Sequence, residues 1–94
     1  MRASETNEDA AALALRALVW TLAEPERATR LLDVTGLTPS DLRTRAADPA
    51  VLSATLGFLE NYEPDLIACA AALDVKPEAL VRARSVIDPS EFDA

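Results

Sequence analysis

Leu31-Leu32-Asp33-Val34-Thr35-Gly36-Leu37-Thr38-Pro39-Ser40-Asp41-Leu42-Arg43-Thr44-Arg45 reads as a helix, a glycine stop and a second helix with a strong start. Thr38 stands before a proline at the first helical position. Its hydroxyl can accept a bond from an amide that has no partner inside the helix, and Asp41 three residues on can reciprocate. Gly36 suits the left-handed residue on which helices commonly close. The same punctuation recurs in both directions along the chain. Glu24-Pro25, Asp48-Pro49, Glu63-Pro64 and Lys76-Pro77 each restart a helix, and Thr6 with Asp9 caps the first. Lys76 cannot accept an amide bond as Thr38 can, so the helix after it should be the less well capped.

No stretch alternates with the period of a strand. The spacing predicts a first helix to Ala23, a second from Pro25 to Val34 and a short third ending before Asp48. A fourth runs to Leu59 or Asn61, a fifth from Glu63 to Leu73, and a sixth from Pro77 to near Asp88. The expected fold is all-α, a compact irregular or orthogonal bundle of five to six short helices. Residues 1–94 form one domain in this reading, with the core over 7–87 and acidic, frayed ends at 1–5 and 88–94.

Between Ala10 and Ala23 only Arg16 and Thr21 are polar, so the first helix is apolar around nearly its whole circumference. Such helices are usually central. The expected packing sets Leu15, Leu18, Trp20 and Leu22 against the fourth and fifth helices; the other reading turns one side toward a partner. Leu18-Val19-Trp20 and Leu56-Gly57-Phe58 lie 38 positions apart, as do Leu37-Thr38-Pro39 and Val75-Lys76-Pro77, and Leu42 and Leu80. Two pseudo-repeated three-helix halves would produce this register, and so would coincidence in a chain rich in Ala and Leu.

The 94 residues leave room for one modest core, so a second copy of the chain, as a homodimer, would add useful burial. A formal charge of −7 repels phosphate backbones and anionic membranes, which makes nucleic acid the less favoured partner. The apolar run of the first helix falls short of the ~20 residues that span a bilayer. A single cysteine, Cys69, in an apolar helical stretch excludes an intrachain disulfide and reads as a small core side chain with a raised pKa. With an acidic, polar start in place of a signal peptide, a cytoplasmic protein is expected. The many Arg and Ala residues suggest a G+C-rich bacterial genome.

Histidine is absent, which removes the commonest general base and zinc ligand. Two glycines, Gly36 and Gly57, make no phosphate-cradling loop. Glu24 with Glu26, and Glu60 with Glu63, flank helix junctions and read as solvated turn residues and helix-start charges. The expectation is therefore no enzyme, no catalytic or metal-binding residues, no cofactor and no small-molecule ligand.

What remains is contact with a macromolecule. Arg27, Arg30, Arg43 and Arg45 outnumber Asp33 and Asp41 across the helix, turn and helix, making a locally basic segment in an acidic chain. This is the candidate partner-binding surface of a non-catalytic adaptor module, and its partner is expected to be another protein. The alternative is a helix-turn-helix-like DNA-binding regulator that uses the helix after Thr38. Against it stand the large Leu32 at the helix crossing, the shortness of the third helix and the lack of nearby aromatics.

The run Leu31 to Arg43, followed by Ala46-Ala47-Asp48-Pro49 and by Ala71-Ala72-Leu73-Asp74-Val75-Lys76-Pro77-Glu78-Ala79-Leu80, resembles a small bacterial family, DUF-3572, a domain of unknown function. The likeness covers about Ala11 to Arg84. It implies no activity and no catalytic residues.

Overall fold

The computed structural model describes residues 7–88; the expectations for Thr6 as a cap and for the chain ends fall outside them. Six helices follow in order: α1 (Asn7–Leu22), α2 (Pro25–Thr35), α3 (Pro39–Arg45), α4 (Pro49–Glu60), α5 (Glu63–Leu73) and α6 (Pro77–Ile87), with no strand among the described residues. Their caps follow the chemistry of the residue ahead of each proline. Thr38 Oγ1 accepts from the Asp41 amide at 3.0 Å while an Asp41 carboxylate oxygen accepts from the Thr38 amide at 3.0 Å. Glu24 accepts from the Arg27 amide and Asp48 from the Ala50 amide, both at 2.9 Å. Lys76 makes no side-chain cap bond.

The six helices fall into two runs of three. α2 and α5 start 38 residues apart and end 38 residues apart, and α3 and α6 start 38 apart at Pro39 and Pro77. α2 closes on Gly36 at φ 78° and α5 on Asp74 at φ 62°, the same left-handed residue at equivalent positions. Aspartate tolerates that conformation better than most side chains, at some cost relative to glycine.

Leu31, Leu52, Leu56, Leu59 and Leu80 are fully buried and fill the centre from α2, α4 and α6. α1 crosses them and packs chiefly against α6 and α4, with α5 a lesser neighbour; the expected fourth helix is there, and α6 takes the place expected of the fifth. The face α1 turns inward is also not the expected one. Ala10, Ala14, Ala17 and Thr21, at four-, three- and four-residue spacing, are buried together with Leu18, whereas Leu15 and Leu22 lie outside the core and Trp20 is half-buried. The small side chains at Ala10, Ala14 and Ala17, beside the one large core residue Leu18, let neighbouring helices approach closely, which Leu15 and Leu22 turned inward would prevent.

Candidate functional site

The four arginines singled out in the sequence do not make one open basic face. Arg27 is half-buried: its guanidinium lies 3.7 Å from the centroid of the Trp20 ring and donates to the Trp20 carbonyl at 2.7 Å. It closes the α1–α2 turn rather than facing solvent, a correction to its place on the candidate surface. Arg30, one turn on, is exposed but pairs with Asp65 of α5 at 3.2 Å, with the rings of Tyr62 and Phe58 at 5.4 and 5.9 Å. Arg45 reaches Asp48 at 3.3 Å and Asp41 at 3.7 Å. Arg43 alone of the four is exposed with no ion pair or hydrogen bond from its side chain to another described residue. Arg30 lines hollows with residues of α2 and the α4–α5 junction, and neither Arg43 nor Arg45 lines them. α3, which carries both, has no buried residue and packs on α4.

A different surface is more clearly left open. Opposite its alanine face, α1 presents Ala12, Leu15, Val19 and Leu22, with Leu15 38% and Val19 62% exposed. Their three-, four-, three-residue spacing is the seam by which helices pair, so α1 carries two apolar stripes. The larger side chains are on the outer one. Val19 and Leu15 with Trp20 form one wall of a groove of about 600 Å³, and Ala72 and Leu73 of α5 form the other. Arg16 sits on the rim and donates to the Leu73 carbonyl at 3.2 Å, tying α1 to the end of α5. The spacing of Ala12, Leu15, Val19 and Leu22 is visible in the sequence. Nearly continuous apolarity hid which stripe would face out.

On another side, Arg84 of α6 lies across α4 at Gly57, where a Cβ would stand 3.6 Å from its Nε. It donates to Glu60 at 3.0 Å and pairs with Asp88 at 3.7 Å. Glu60 is thus half-buried in an inter-helix ion pair, not the solvated turn residue its sequence suggested. Cys69 is fully buried, and burial pushes its thiol up to about 11, against a smaller lowering by the Arg27 charge. No group of three or more Cys, Asp or Glu among the described residues is placed to hold a metal ion, and no described helix is long and apolar enough to cross a membrane.

The family model DUF3572, described as a protein of unknown function, matches residues 7–90, and the chain belongs to that family. No curated protein and no solved structure matches it.

Proposed function

We propose that this member of the DUF3572 family is a non-catalytic, cytoplasmic interaction module that docks another protein on the outer face of α1. The observation that carries this reading is the second apolar stripe of α1: the helix buries Ala10, Ala14, Ala17 and Leu18 and leaves Leu15, Val19 and Leu22 exposed. Leaving these side chains 36–62% exposed forfeits a part of the roughly 1.5–3 kcal/mol that full burial of a Leu or Val supplies. A contiguous exposed apolar stripe of this kind marks a contact surface. The net charge of −7 and the internal pairing of Arg27, Arg30 and Arg45 favour protein over DNA as the partner, and leave Arg43 as the most available cation of the sequence-derived surface.

Affinity purification of the tagged protein, with and without nuclease, tests the reading. One protein should be retained in both samples, lost with Leu15→Glu or Val19→Ser, and kept with Arg43→Glu plus Arg45→Glu. Loss with the arginine pair alone would move the contact to α3, and loss on nuclease treatment would restore the helix-turn-helix reading.

A further inference from the structure

The groove along α1 has a counterpart on α4. α1 and α4 end 38 residues apart, at Leu22 and Glu60, in the register already seen for the later helices. The residues lining the two hollows keep that register. Leu15, Val19 and Trp20 of α1 answer to Ser53, Gly57 and Phe58 of α4, and Ala12 and Arg16 to Ala50 and Ala54. The second wall follows suit: Ala72 and Leu73 end α5 beside α1, and Val34 and Thr35 end α2 beside α4. Each hollow therefore joins the first helix of one half to the second helix of the other. The matched side chains differ in size, so the likeness is one of packing rather than of composition.

One wall is not shared. The α4 hollow has a third side, Arg84 and Asp88 of α6, and Arg84 lies over Gly57 and donates to Glu60 at 3.0 Å. The counterpart of Arg84 in the first half is Ala46, one residue past the end of α3. α3 has 7 residues to the 11 of α6, because Asp48 and Pro49 start α4 where its further turns would run. The exposures record the difference. Ser53 and Phe58 are 8% and 6% exposed, whereas Leu15 is 38% exposed and Trp20 half-buried; Gly57 is half-buried under Arg84, and Val19, in its place, is 62% exposed.

The two seats differ in chemistry as well. Where α4 offers Gly57 and Glu60 to an arginine, α1 offers Val19 and Leu22. Resting on the reading of α1 as the docking face, we propose that an amphipathic helix of another protein supplies the missing third wall, with a Leu, Ile or Met over Val19 and Leu22 where α6 has Arg84. Charge does not select this helix, since Arg16 is turned onto the Leu73 carbonyl and Arg27 lies on Trp20. A second copy of the chain has no comparable helix to lend. Leu80, Ala83 and Ile87 commit α6 to its own core, and the exposed large apolar residues outside α1, Val34, Tyr62, Ile67 and Val81, do not line up on any one helix. Its own α1, laid antiparallel about the midpoint of Leu15 and Val19, sets Arg16 against Arg16, and like charges at close range cost affinity.

Two synthetic helical peptides of about 18 residues test this, with leucines at three- and four-residue spacing and a single difference, Leu or Arg at the central position of the seam. Trp20 is the only tryptophan of the chain and lines the groove, so its fluorescence reports binding. The Leu peptide should bind about tenfold tighter or better, and Val19→Ser should weaken it by a similar factor. Leu22→Glu restores the carboxylate that Glu60 offers to Arg84 and should narrow the preference by strengthening the Arg peptide, a gain that a misfolded variant would not show. Equal binding of the two peptides, still weakened by Val19→Ser, would overturn the apolar third wall while leaving the docking face intact. If neither peptide binds, the inference fails, and the Val19-dependent capture described above then decides separately whether the face survives. A concentration-dependent dimer in sedimentation, dissociated by Val19→Ser, would overturn it in favour of a second copy.

Discussion

Thr38 and Lys76 occupy equivalent positions ahead of Pro39 and Pro77, and the difference between them is one hydroxyl in reach of an amide. The helices they open differ in what they bury. α3 contributes no buried residue, whereas α6 places Leu80, Ala83 and Ile87 in the core. A cap gained on α6 is therefore felt by the whole fold, and one lost on α3 is felt locally. Lys76→Thr is expected to raise unfolding stability by up to about 1 kcal/mol in urea denaturation. Thr38→Ala is expected to speed amide exchange within α3 while moving the urea midpoint less. Equal shifts of the midpoint would show that α3 unfolds only with the rest.

At the scale of the element, α1 carries two stripes with opposite sensitivities. Ala17 is fully buried, so Ala17→Leu drives a larger side chain between close-packed helices and is expected to cost about 1–3 kcal/mol in thermal unfolding. Val19→Ser, on the outer stripe, is expected to change stability by no more than about 0.5 kcal/mol while abolishing partner capture. The boundaries of these elements were legible because each start after α1 is written in a proline and the residue beside it: Pro25, Pro39, Pro49, Pro64 and Pro77 all fall within one residue of a helix start. The orientation of α1 was not legible. Periodicity identifies an inward face by contrast with a polar one, and a helix with only Arg16 and Thr21 polar between Ala10 and Ala23 offers little contrast. The arginines failed for a related reason. Spacing placed Arg27 on the polar side of α2 but could not show that a seven-residue step back across the turn puts Trp20 beneath it.

For the molecule as a whole, the titrations bound a window of stability. Amide bonds from Thr38 and Ala50 hold the Asp41 and Asp48 carboxyls below the usual carboxylate range, so each favours the fold above the ordinary aspartate pKa and loses that contribution as pH falls through its own lowered value. Cys69 acts at the other end. With its thiol at about 11 in the fold and 9.0 outside it, the unfolded chain releases the proton first, and stability declines from about pH 9 upward. Urea midpoints measured across pH should be flat from about pH 5 to 9 and fall on both sides. Cys69→Ala should soften the alkaline limb alone.

The close packing of α1 on α6 also sets a clock. Translation completes α1 at Leu22 and does not complete α6 until Ile87, so at 5–20 residues per second the first helix waits roughly 3 to 13 seconds for its main neighbour. Until α4 is made its two apolar stripes are both bare on the ribosome-bound chain, and until α6 follows the inner one is only partly covered. A nascent-chain binder that recognises apolar helices meets this protein at α1 first, and the intended partner, if already present, can claim the outer stripe before the inner one is covered.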